Sequence, residues 1–186
     1  SELGNLVANA FSLSSHTGIL FEGLLRFFIV ILYLWGIGKT SDVNRVFAYH
    51  GAEHKTINAF EAGANLIPEE VAKYPLEHPR CGTSFFVTLI VLSVLIFTLL
   101  GPLPFLIRLV SRVILIPLLA GAAYEYIRWA ANHLSSPLIR ILIKPNLWLQ
   151  SLTTREPTAD MLEVSIAAFK LMLSQELEIK NKLQAV

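Results

Sequence analysis

No charged residue occurs between Gly82 and Ile107, and within that stretch Ser84 to Leu100 is an almost unbroken apolar run. At about 1.5 Å of rise per residue, a helix of that length crosses most of a hydrocarbon core. Composition points the same way, since hydrophobic residues make up 54% of the chain and charged residues only 16%. That is the balance of a membrane protein.

Two more apolar stretches, Thr17 to Gly38 and Phe105 to Tyr124, are predicted as spans although each carries charge. In the first, Glu22 and Arg26 stand four apart, so they can pair on one helix face turned away from lipid. In the second, Arg108 and Arg112 lie near a helix end and can snorkel. Gly101-Pro102-Leu103-Pro104 supplies the turn between the second and third spans, and Pro117 is a candidate kink. Pro137 to Leu149 carries Arg140, Lys144 and Pro145 and is too short to cross, which predicts an interfacial or re-entrant segment with Trp148 at headgroup depth. Beyond Gln150 the pattern changes. Thr158 can cap a helix over about 159–183, whose Leu162, Ile166, Phe169, Leu173 and Leu177 form one stripe suited to docking on protein.

The expected fold is thus an all-α membrane protein with about three transmembrane helices. A helical polar loop, an interfacial segment and a C-terminal amphipathic helix complete it. We divide it into a transmembrane domain over 1–150, including the polar loop 39–83, and the amphipathic helix over 151–186. Lys39, Arg45, Lys55, Lys73 and Arg80 in the loop, with Arg140, Lys144 and Arg155 later, outweigh Arg108 and Arg112 near the opposite turn. The positive-inside bias therefore places the loop on the cytoplasmic or stromal side of a multi-pass protein. The start at Ser1, before a span too long and too poorly flanked for a signal peptide, predicts a trimmed N-terminus.

The polar loop carries the chemistry. Residues 50 to 54 read His-Gly-Ala-Glu-His, and on a helix His50 and His54 point the same way, one turn apart. Two imidazoles so placed can close on one divalent cation, with Glu53 positioned as general base towards water at the ion. Further ligands come from two sets. Glu125 would complete a two-histidine, one-carboxylate site with an open position. His78 and Cys81 would instead give a closed tetrahedral site of structural type. Zinc accepts all of these groups, whereas a thiolate weighs against magnesium or calcium. Asn58 could support the ligands, and Arg80 could clamp an anionic substrate.

Each feature has a plainer reading. His-x-x-Glu-His also occurs on solvated helix faces, Glu125 can simply pair with Arg128, and His16 and His133 suit interfacial positions. The single cysteine allows no intrachain disulfide. A net charge of +1 and the lack of any basic run with interleaved aromatics exclude broad nucleic-acid binding.

Taken together, Phe47-Ala48-Tyr49-His50-Gly51-Ala52-Glu53-His54-Lys55-Thr56-Ile57-Asn58, His78-Pro79-Arg80-Cys81-Gly82-Thr83-Ser84, Tyr124-Glu125 and Thr153-Thr154-Arg155-Glu156-Pro157 resemble the YqhQ-type family of integral membrane proteins. Members of that family are commonly described as predicted metal-dependent enzymes without an assigned reaction. The resemblance runs from about Glu22 to Ala167. It implies a multi-span membrane protein with a metal site, and it singles out His50, Glu53, His54, His78, Arg80, Cys81, Glu125, Arg155 and Glu156. The glycine-rich N-terminal region and the additional hydrophobic segment usual in the family are absent or strongly altered.

Two readings of function remain open at this level. One is a membrane-embedded zinc-dependent hydrolase with His50 and His54 as ligands and Glu53 as base. The other is a non-catalytic membrane subunit or assembly factor, whose polar cluster, with or without metal, stabilises a surface for a membrane-protein partner or a second copy in the lipid bilayer. A transporter ranks below both, because three spans are few for alternating access.

Overall fold

The structure, a computed structural model, describes residues 15–184. Among them it contains helices and no strand: α1 (Ser15–Ile37), α2 (Ser41–Glu61), α3 (Pro68–Val71), α4 (Gly82–Leu100), α5 (Phe105–Asn132), α6 (Pro137–Gln150) and α7 (Ala159–Gln184). They fall into two compact units, one of residues up to 36 with 79–150, the other of 37–78 with the segment from 151 onward.

The first unit holds the three helices that are long and apolar enough to cross a membrane, α1, α4 and α5. Phe28, Leu32, Leu99 and Phe105 all point outward. In water that much exposed apolar surface would favour aggregation, whereas in a bilayer the lipid is its solvent. Polar groups are turned inward instead. Glu22 is buried and accepts from the Arg26 guanidinium one turn on, as the spacing predicts. The α4–α5 turn is closed by Gly101, whose φ of 71° few other residues tolerate. His16 packs there, its Nδ1 bonded to the Thr98 carbonyl at 2.8 Å, so one of the last carbonyls of α4 gains a partner.

Two elements of this unit differ in extent or detail from the sequence pattern. α5 continues to Asn132, because no helix breaker follows Tyr124 and because Ala123, Ile127 and Ala130 form a buried stripe that rewards continuation. Glu125 therefore lies within the helix rather than past its end. α6 packs Ile139 and Ile143 against Ala130, leaving Leu138, Ile141, Leu142 and Trp148 exposed. Its polar face is pinned to α4, with Gln150 Nε2 donating to Ser84 Oγ at 2.6 Å and Asn146 Nδ2 to Thr88 Oγ1 at 3.1 Å.

The second unit is built on α2 and α7, with the single turn α3 beside them. Ala52 and Ala59 of α2, Val71 of α3, and Leu162 and Ile166 of α7 form its core. Alanines on the contact face let the helices approach closely, and the interface continues through Thr56 Oγ1–Ser165 Oγ (2.9 Å) and the edge-on Phe60–Phe169 ring pair. The predicted docking stripe on α7 is used only in its first half. Leu162 and Ile166 are buried, Phe169 and Leu173 are half-buried, and Leu177 is exposed.

Candidate metal centre

Helix α2 carries the motif, and two irregular segments cross it. The first comprises residues 72–78, leading out of α3, and the second residues 153–157, leading into α7. Chain outside regular helices leaves carbonyls without a backbone partner, and those carbonyls meet the polar face of α2. His50 Nδ1 bonds the Thr153 carbonyl at 2.8 Å, and His54 Nδ1 bonds the Leu76 carbonyl at 2.5 Å. Asn58 Nδ2 donates to the carbonyls of Pro75 (2.9 Å) and Glu77 (3.0 Å).

Lys55 joins both segments. Its ammonium donates to the Ala72 and Tyr74 carbonyls at 2.8 and 2.9 Å and pairs with Glu156 at 2.7 Å. All three N–H groups of this buried cation are therefore used. In the second segment, the Arg155 amide donates to the Phe47 carbonyl at 2.9 Å and the Arg155 guanidinium lies over the Phe47 ring. Gly51 makes this crossing feasible: a Cβ there would overlap the Arg155 carbonyl and come within 2.7 Å of Leu76 Cδ2.

The hydrogen bonds decide which ring nitrogens are available for other chemistry. A carbonyl can only accept, so Nδ1 carries the proton in both His50 and His54. In a neutral ring the lone pair is then on Nε2. Donation of one ring nitrogen to a backbone carbonyl is the arrangement that orients a ligating imidazole and raises the basicity of the other nitrogen. The two rings are edge-on with centroids 4.3 Å apart, and His78, buried, has its ring centroid 5.8 Å from that of His54. His78 Nε2 lies 3.6 Å from a carboxylate oxygen of Glu61.

In the first unit, Cys81 is the N-cap of α4. It is a buried thiol whose sulfur accepts from the Thr83 amide at 3.4 Å. In the second unit, His50 and His54 present two imidazoles from one helix face that could serve as donors to a metal ion.

The other residues singled out in the sequence have different surroundings. Glu53 is exposed on α2, and Arg80 is exposed ahead of Cys81. Glu125 is exposed and sits 3.8 Å from Arg128 one turn along α5. Asn58, Arg155 and Glu156 hold the two crossing segments, as described. Lys55, Gly51 and Thr153 carry as much of the arrangement, although the sequence reading gives none of them a role of its own. Lys55 has a legible signal, since it falls on the same helix face as Ala48, Ala52 and Ala59, and a lysine on a buried small-residue face must find acceptors.

Residues 3–175 match the profile of the family described as "Protein of unknown function (DUF1385)". The chain belongs to this family. Among DUF1385-type relatives, "Uncharacterized protein YqhQ" of Bacillus subtilis (strain 168) is 34% identical over 174 residues, which cover 94% of this chain and 54% of that protein. The chain thus spans about half the length of that relative. The likeness read from the four motifs is a family relationship. No solved structure matches the chain.

Proposed function

We propose that this DUF1385 chain is a membrane-embedded metalloprotein of hydrolase type, with His50 Nε2 and His54 Nε2 as ligands of a zinc ion. The observation that carries the reading is the pair of Nδ1–H···O=C bonds from His50 and His54. They fix the tautomer and hold both rings for ligation before any ion arrives. Imidazole donors suit zinc and disfavour magnesium and calcium.

A zinc site not closed by four protein ligands keeps a position for a reacting molecule, as catalytic zinc sites do, and a bound ion there supplies Lewis acidity. Glu53 is the residue suited to moving the proton. It lies between the two histidines in the chain, it is exposed, and no carbonyl or cation of the crossing segments engages it. A carboxylate held off the ligand face acts as general base towards water. Lys39, Arg45, Lys55, Lys73 and Arg80, which the positive-inside rule counts whatever acidic residues lie among them, support a cytoplasmic or stromal location for the motif, with α1, α4 and α5 as three membrane spans.

A second reading rests on one observation, the buried His78 close to His54. If His78 is a further ligand and the site is closed, it serves to staple the 72–78 segment in a non-catalytic membrane subunit. Metal analysis of the purified chain, beside His50→Ala/His54→Ala, tests the site itself: about one zinc per chain, lost in the double variant, is expected. Failure of both proteins to take up zinc would overturn the metalloprotein reading. Glu53→Gln separates the two functions, because metal content should persist in either case, while turnover of ester or amide probes should fall by about 100-fold or more only if Glu53 is the base.

A further inference from the structure

A cavity in the first unit lies among α1, α4 and α5, and its volume is about 410 Å³. Along α4 it extends from the Gly101–Leu103 turn back to Phe86, roughly 20 Å at the rise of a helix. It is therefore long and narrow, with a shape suited to an extended chain rather than to a compact metabolite.

Its lining is polar towards one end. Ile19, Phe27, Ile90 and Val94 are among its apolar walls, while Glu22, Arg26, Arg108 and Arg112 supply the charge. The contact between His16 and the end of α4 places the beginning of α1 beside the α4–α5 turn. Glu22 and Arg108 therefore stand within two helical turns of the same end, and Val30 and Ile116 lie deeper.

Charge in this cavity is unbalanced. Three guanidiniums face one carboxylate, and that carboxylate is already taken by Arg26. Arg112 and Arg108 lie over the rings of Phe97 and Phe105 at 5.5 and 6.0 Å, and neither has a carboxylate partner among the described residues. A ring face offers a guanidinium some attraction but none of the acceptors its five N–H groups need. In an apolar setting an anion is the strongest complement for two such groups, and phosphate is matched by their planar forks.

We propose that this cavity binds an anionic membrane lipid, with the phosphate of the headgroup on Arg108 and Arg112 and one acyl chain laid along α4 towards Phe86. The Glu22–Arg26 pair neutralises the third guanidinium and leaves the excess positive charge at the headgroup end. Ligand cavities of a few hundred cubic ångströms with apolar walls and few polar groups are typical of such sites.

The test is native mass spectrometry of the full chain in detergent, titrated with phosphatidylglycerol, phosphatidylcholine and soluble glycerol phosphate. Phosphatidylglycerol should bind at least about tenfold more tightly than phosphatidylcholine, and Arg108→Gln/Arg112→Gln should remove that preference. Arg108→Lys/Arg112→Lys, which keeps the charge, should retain most of it. Ser93→Phe, which fills the cavity and leaves every charge in place, should weaken binding of phosphatidylglycerol. Equal affinity for the two lipids would overturn the proposal, as would a preference untouched by both the glutamine pair and Ser93→Phe. Glycerol phosphate binding as tightly as the lipid would show an anion site without an acyl-chain groove, and would also overturn it.

Discussion

Gly51→Ala separates two physical effects of opposite sign. By intrinsic propensity, alanine in place of glycine inside a helix stabilises by about 1 kcal/mol. At this position the added Cβ meets the Arg155 carbonyl and approaches Leu76 Cδ2 to 2.7 Å, so both crossing segments must move. Overpacking of this kind costs about 1–3 kcal/mol. Displacement of the second segment also strains the bonds from the Arg155 amide to Phe47 and from His50 Nδ1 to Thr153, each worth about 1 kcal/mol net. The contact outweighs the propensity, and the expected result is a net destabilisation of about 2–3 kcal/mol, or on the order of 5–10 °C in Tm for a chain of this size. Thermal unfolding in detergent measures the stability, and a zinc titration of the same sample measures the site. Zinc affinity should fall about 10-fold or more, because the carbonyl that orients His50 has moved. A Gly51→Ala protein as stable as the parent or more so, with unchanged zinc affinity, would refute the close approach and with it the account of how His50 is oriented.

Lys55→Met should destabilise the second unit by about 2–4 kcal/mol in chemical or thermal unfolding, since the Ala72 and Tyr74 carbonyls lose their buried donor. Glu156→Gln, which touches only the exposed end of the same pair, should change stability by less than about 1 kcal/mol. The Thr158 side chain, as hydrogen-bond donor, holds the Asp160 carboxyl below its usual range, with amides at the start of α7 and Arg45 adding to the effect. A depressed carboxyl stabilises the fold above its unfolded pKa of about 3.9 and loses that contribution as pH falls through the folded value. Asp160→Asn should accordingly be less stable than the parent at neutral pH and equal to it at strongly acidic pH, read from unfolding curves across that range. Chelation of zinc from a protein held at about 100 times its Kd in free metal should cost about 2.7 kcal/mol of stability, and the loss should be absent in His50→Ala/His54→Ala.

The helices long and apolar enough to cross a membrane were legible because periodicity and the absence of charge are local properties. The pairing of Glu22 with Arg26 followed from spacing alone, and so did the presentation of His50 and His54 on one face of a helix. The crossing segments were not legible, because residues 72–78 and 153–157 carry no periodic pattern and reach α2 through backbone carbonyls, which every sequence supplies equally. Lys55 and Gly51 acquire their roles only through those carbonyls. The end of α5 was misplaced for a related reason: the buried stripe of Ala123, Ile127 and Ala130 is closed by Ile139 and Ile143 on α6, and a partner that arrives later in the chain leaves no local mark.

The polar residues on α2 now divide into two kinds. His50, His54, Lys55 and Asn58 each engage a carbonyl of a crossing segment, so their presence would be explained by folding even without metal. A structural role of that sort uses one nitrogen of each histidine and leaves the other nitrogen's chemistry unspecified, which is why the tautomer matters more than the motif. Glu53 is the exception within the motif. It is exposed, and it pairs with no carbonyl or cation of the segments that its neighbours hold. Solvation alone accounts for a carboxylate there, whereas a general base must also be accessible and uncommitted, and Glu53→Gln distinguishes the two roles.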